Sequence, residues 1–235
     1  MSALTCIGLD ADDTLWHNEK HFHFTQSLFA DLLKDHATAD DLAAKLLEAE
    51  KHNLAFYGFG IKGFTLSMLE TAIDVTHGKV PAATLKTILD AGRSMMQHPV
   101  ELLPHVAETL DALHKHYKLV LITKGDLFDQ ERKVAASGLG EFFHGVEIVS
   151  DKTPDTYARI FSYYGSGPEH AVMAGNSLKS DVIPALTAGA WGVHIPHELT
   201  WALEHVKAPV GNRRFRMISN INELSDITES VRMEK

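Results

Sequence analysis

The first apolar run, Leu4-Thr5-Cys6-Ile7-Gly8-Leu9, is short, includes β-branched residues and stops abruptly at Asp10. That is the pattern of a buried strand. The period then becomes helical. Phe22, Phe24, Leu28, Phe29, Leu32 and Leu33 form one apolar stripe, and Asp40-Asp41 opens a second helix carrying Leu42, Ala43, Leu46, Leu47 and Ala49. Three glycines in Gly58-Phe59-Gly60-Ile61-Lys62-Gly63 break the pattern. It resumes from Phe64 to about Val75, and Pro81 starts a last helix through Leu85, Ile88, Leu89 and Met95, ended by His98-Pro99. Residues 16–98 therefore read as an all-helical block.

Beyond Pro104 helices and strands alternate. Strands are expected at 118–123, 146–149, 171–174 and 192–195, and helices at 106–114, 128–137, 154–164, 178–188 and 221–231. Strands separated by helices of this length imply βαβ units, so the fold class is α/β with a doubly wound parallel sheet. The first strand joins that sheet across the helical insertion. The expected division is a core of residues 1–15 and 99–235 with a helical domain over 16–98.

Bulk properties narrow the partners. The chain has 235 residues, 45% hydrophobic and 23% charged, an ordinary globular balance. A formal charge of −9 argues against nucleic acid or an anionic membrane as the main partner. The single cysteine, Cys6, cannot form an intrachain disulfide and falls in the first strand as a small core residue. The start, Met1-Ser2-Ala3-Leu4, lacks the basic and apolar segments of a secretory signal, and no apolar stretch is long enough to span a bilayer. A cytoplasmic location is the expectation, and the oligomeric state is left open.

The chemistry is written at the strand ends. The first strand runs into Asp10-Ala11-Asp12-Asp13-Thr14, the second ends at Thr123, the third is followed by Ser150-Asp151-Lys152, and the fourth by Gly175-Asn176-Ser177 with Asp181 beyond. In a parallel sheet these carboxyl ends share one edge, where α/β proteins place ligands. Asp10 and Asp12 can face the same side if extended geometry continues past Leu9.

These four segments, in order, resemble the haloacid-dehalogenase-like hydrolase superfamily, most of whose members are magnesium-dependent phosphatases. Its Asp-x-Asp-x-Thr motif matches residues 10–14, its strand-end Thr or Ser matches Thr123, its lysine motif looks like Lys152-Thr153-Pro154-Asp155, and its Gly-Asp-Ser motif with a following Asp matches residues 175–181. The likeness covers residues 4–15 and about 100–196 and implies a Rossmann-like core with an inserted helical cap.

The resemblance implies Asp10 as nucleophile and Asp12 as general acid and base. It gives Thr123 and Lys152 as phosphate-binding groups, and Asp10, the Asp12 carbonyl, Asn176 and Asp181 as magnesium ligands. A carboxylate is ionised at neutral pH and can attack phosphorus without activation. The acid role requires Asp12 to begin protonated, so burial or the substrate phosphate is expected to raise its pKa. Position 176 departs from the family by being Asn, which removes one charge from the metal site. Lys124 is a rival to Lys152.

Other features have plainer readings. His17, His21 and His23 lack a matched second set of zinc ligands, and His194 and His197 read as loop residues. Arg213, Arg214 and Arg216 read as a solvated strand face. Trp16, Tyr57, Phe59 and Phe64 suit either a pocket or a core. Lys62 in the 58–63 turn suits either substrate selection or a solvated loop. The function expected is hydrolysis of a small phosphorylated metabolite. A phosphomutase, or a non-catalytic phosphate-binding regulator, stands as the alternative.

Overall fold

The computed structural model describes residues 4–233, with the side chains of 232 and 233 excepted; the Met1–Ala3 part of the expected leader-free start lies outside the described residues. By its internal contacts the chain separates into two compact units. One comprises 1–17, 100–124 and 130–235; the other comprises 18–99 and 125–129. The short segment 125–129 groups with the helical unit, a detail that no periodicity announces.

The first unit is built on a six-stranded sheet in the order β3-β2-β1-β4-β5-β6. Its strands are β1 (Cys6–Leu9), β2 (Lys118–Lys124), β3 (Gly145–Val149), β4 (Ala171–Gly175), β5 (Trp191–His194) and β6 (Phe215–Met217). All neighbouring pairs are parallel. β1 is central and completely buried, as its unbroken apolar run requires. One sheet face packs on Val106, Leu110 and Leu113 of α5 (Val106–Leu113) and on Leu224 and Val231 of α9 (Leu224–Met233). The other packs on Tyr157, Ile160 and Phe161 of α7 (Pro154–Tyr164) and Ala185 of α8 (Ile183–Thr187). Helices on both faces make it the doubly wound α/β fold expected.

Two elements differ from their expectation. The helix foreseen over 178–188 begins as a wide turn with i→i+5 bonding over Leu178–Val182 and becomes α-helical only at Ile183. Gly175, just before it, approaches the Asp181 side chain so closely that a Cβ would overlap it, and Pro184 follows. Of the arginine run only Arg216 lies in a strand, β6; Arg213 and Arg214 are in the turn before it. Arg214 and Arg216 lie over the Trp191 ring at 5.9 and 4.7 Å, so they cover an aromatic surface rather than stand in solvent alone.

The helical unit contains α1 (Glu19–Leu33), α2 (Ala39–Tyr57), α3 (Ile61–Val75) and α4 (Ala82–Met95). Thr38 caps α2 by accepting from the Asp41 amide at 3.2 Å, with two acids in the first turn. Its core is Phe29, Leu33, Leu42, Leu46, Ile61, Phe64, Met68, Ile88 and Met95. Phe24, counted in the apolar stripe, is instead 71% exposed. Gly60 (φ +112°) joins α2 to α3 with a backbone other residues resist, and a Cβ there would lie 3.2 Å from the Asp126 amide. Among the described residues no helix is long and apolar enough to cross a membrane.

Gly8 marks the tightest packing of the central strand: a Cβ would stand 2.8 Å from Ile122 Cδ1, 3.0 Å from Met173 Sδ and 3.1 Å from Phe161 Cε1. Gly8→Val should therefore destabilise the protein by about 1–3 kcal/mol, the usual cost of overpacking, seen as a lower urea midpoint with an unchanged slope.

Candidate active site

The strand register brings the predicted residues to one edge. Leu9 of β1 pairs with Leu121 of β2 and Ala174 of β4, so Asp10, Thr123 and Asn176 follow on adjacent strand ends. Lys152 arrives from the loop after β3. Its ammonium is almost fully buried, bonding Asp10 Oδ1 at 2.5 Å and Asp181 Oδ1 at 2.7 Å. Thr14 Oγ1 donates toward Asp10 Oδ2 at 3.1 Å and accepts from the Asn176 amide at 3.0 Å. The rival Lys124 is engaged elsewhere, by Ser180 Oγ and Glu204 Oε1, each at 2.6 Å. Glu204 also accepts from Ser177 and from Ser180.

Thr123 is wholly buried, and its hydroxyl has no hydrogen-bond partner among the described residues. Such a group is costly unless something completes it. A ligand oxygen placed at this edge would do so.

The two leading carboxylates differ. Burial pushes the Asp10 pKa up to about 7, with repulsion from Asp181 adding to it and Lys152 opposing it. Burial also works against the charged form of Lys152, yet Asp10 and Asp181 together raise its pKa. Asp12 behaves otherwise. The chain turns after Asp12: Leu15 N–H donates to Ala11 O at 2.8 Å, Asp13 N–H to Trp16 O at 2.8 Å, and Asp13 adopts a left-handed φ of +59°. Asp12 has its own set of donors. Lys133 Nζ bonds both its oxygens, at 2.6 and 2.7 Å; Trp16 Nε1 reaches Oδ1 at 2.7 Å and Gln130 Nε2 reaches Oδ2 at 2.8 Å. Burial alone would raise Asp12, but the Lys133 ammonium and these donors hold its pKa below the ordinary carboxylate range. The expected upward shift is thus corrected: the cation that overrides burial comes from a distant helix.

Lys133 and Gln130 belong to no motif, and their burial is what singles them out. They lie three residues apart on α6 (Leu127–Ser137), whose Leu127 and Phe128 are exposed while Asp129, Gln130 and Lys133 are buried. A helix that turns polar residues inward and apolar ones outward is a functional signal. Trp16 is both core residue and donor, and Phe64 is core, whereas Tyr57 is exposed. Lys62 lies in the helical unit and pairs with Asp126 at 2.9 Å. His194 Nε2 lies 3.0 Å from Asn176 O, and burial lowers the His194 pKa.

The donor set at the edge is all oxygen: two carboxylates, an amide and a backbone carbonyl. Among the described residues no cluster of three or more His, Cys, Asp or Glu could hold a metal ion, and position 176 supplies an amide rather than an acid. Burial, and after it repulsion from Asp181, disfavours the charged form of Asp10, and a hard cation with oxygen ligands would relieve both.

The family model for haloacid dehalogenase-like hydrolases matches residues 4–189. The chain belongs to that family. A haloacid dehalogenase-like hydrolase from Xanthomonas campestris is 38% identical, with a TM-score of 0.88 over 98% of this chain and 93% of that one. The L-2-haloacid dehalogenase of Xanthobacter autotrophicus, at 16% identity, 97% and 99% coverage and a TM-score of 0.62, shares the fold. The N-acylneuraminate-9-phosphatase of Homo sapiens is 30% identical over 99 residues, 40% of each chain. That of Mus musculus is 25% identical over 143 residues, 58% of this chain and 55% of its own. The chain thus spans about half the length of the curated relatives it matches.

The electrostatics generate a pH signature. A carboxyl whose folded pKa is raised binds more protons folded than unfolded. Its contribution to stability therefore falls as pH rises from about 4 towards 7. Asp10→Asn removes this liability. In chelator-treated protein the variant should melt higher than wild type at pH 8, and the gap should close towards pH 4. A kcal/mol in a chain of this size is worth about 2–4 °C of Tm. A gap that does not vary with pH would refute the assignment.

Proposed function

We propose that this hydrolase cleaves phosphate monoesters of small metabolites through an aspartyl-phosphate intermediate. The observation that carries the reading is the Asp10–Lys152–Asp181 cluster on the same strand edge as the unpartnered hydroxyl of Thr123. The phosphatase names of the curated relatives support it.

In the first step an Asp10 oxygen bonds to phosphorus, the ester P–O bond breaks, and the departing alkoxide takes a proton from Asp12. In the second, water attacks phosphorus, Asp12 takes the water's proton, and inorganic phosphate leaves with Asp10 restored. Since Lys133 holds Asp12 ionised, Asp12 starts as a base: it takes the proton of a monoanionic substrate phosphate, passes it to the alkoxide, and after the second step releases the water's proton with the departing phosphate. Thr123 and Lys152 hold the non-bridging oxygens. Asp10, the Asp12 carbonyl, Asn176 and Asp181 would hold magnesium, which would supply positive charge to the phosphoryl oxygens. Dehalogenation is disfavoured, because a departing halide needs no proton and the three donors on Asp12 would serve no step.

Phosphate release from an alkyl phosphate tests this reading. Wild type should release phosphate, Asp10→Asn should lose essentially all of it while staying folded, and excess chelator should abolish it. Chloride release from a 2-chloro acid without any phosphate release would reverse the reading.

Lys62 is proposed to bear on substrate choice. Lys62→Ala should lower kcat/KM for an anionic metabolite phosphate and spare a small aryl phosphate, since remote contacts act on kcat/KM without touching the reacting atoms. Equal kcat/KM values for wild type and variant on both substrates would leave it a surface ion pair with Asp126.

A further inference from the structure

We infer that Lys133 and Gln130 are positioning residues that fix the orientation of the Asp12 carboxylate. The inference rests on the phosphatase reading for its catalytic consequence, but not for its structural content.

The geometry is a two-sided clamp. One ammonium spans both Asp12 oxygens, at 2.6 and 2.7 Å, so rotation of the carboxylate breaks at least one contact. Gln130 Nε2 adds a bond to Oδ2 at 2.8 Å and is itself braced by Lys124 O at 3.3 Å. On the opposite side Trp16 Nε1 bonds Oδ1 at 2.7 Å. Gln130 and Lys133 are 3% and 7% exposed, so the clamp is built into the packing. The Gln130 amide nitrogen makes both of these contacts, while Oε1 has no partner among the described residues.

A group that must give a proton to one oxygen and take it from another needs its lone pairs aimed, because proton transfer depends on reach and direction. Side chains that lock a reacting group from behind set that aim. Lys133 carries out this task from a helix that follows the strand bearing Thr123. It does not itself touch the reacting atoms.

The experiment combines kinetics with a spectroscopic signal that needs no turnover. The chain has three tryptophans, so the indole N–H region of a ¹H–¹⁵N spectrum is simple, and a Trp16→Phe sample identifies the Trp16 signal. That signal reports the bond to Asp12. Lys133→Met should move it, as Asp12→Ala does, whereas Lys133→Arg should leave it near its wild-type position.

In turnover, Lys133→Met should lower kcat for an alkyl phosphate by up to about 100-fold with KM little changed. That is part of the roughly 100- to 10,000-fold that acid–base catalysis supplies. With an activated aryl phosphate the same variant should release a burst of phenol and then turn over slowly, because hydrolysis of the aspartyl phosphate still needs an aimed base. Lys133→Arg should recover most of the loss, and Lys133→Met should add little to Asp12→Ala, since residues acting through one group are not additive.

An unmoved Trp16 signal in Lys133→Met overturns the inference whatever the activity. Losses that multiply in the double variant overturn it too, by showing that Lys133 acts apart from Asp12. A wild type that cleaves no phosphoester sinks the phosphatase reading alone, and the indole signal still decides the clamp.

Discussion

The structure of the site depends on one buried ammonium. Lys152 lies between Asp10 and Asp181, and none of the three is more than 6% exposed. Charges this deep cost several kcal/mol apiece unless paired, and removing one partner leaves another stranded. The cluster therefore constrains the end of β1, the loop after β3 and the turn after β4 at once. It leaves one negative charge uncompensated, and that excess makes the edge receptive to a cation and sensitive to pH.

Two carboxylates that stand two residues apart are driven in opposite directions by their surroundings. Asp10 is pushed up by burial and by the neighbouring Asp181; Asp12 has Lys133 and is held down. Divergent environments of this kind assign different tasks to chemically identical groups. The turn at Asp13 brings the Trp16 indole N–H back to Asp12.

Beside this centre lies a second polar network. Glu204, reaching in from the segment after β5, ties Lys124 to Ser177 and Ser180, and burial of its carboxylate is outweighed by those donors. Lys124 is thereby held at the rim by a counter-charge, while Lys152 sits inside. A buried network with every member satisfied is rigid, so the unpartnered hydroxyl of Thr123 stands out against it.

The α/β class, the helical insertion and the strand-end positions of Asp10, Thr123, Lys152, Asn176 and Asp181 were legible in the sequence. They depend on local periodicity and on the rule that parallel strands present their carboxyl ends together. Other features required the tertiary structure. The protonation tendency of Asp12 is set by Lys133, which is 121 residues away in the chain, and no local pattern encodes that meeting. Segment 125–129 groups with the helical unit through contacts rather than composition. Lys152 was the expected lysine, but the pairing of its rival Lys124 with Glu204, a residue with no motif, was not legible. Short-range sequence fixes which groups stand at the strand ends; packing decides which charges meet, and Coulomb energies depend on separation in space rather than along the chain.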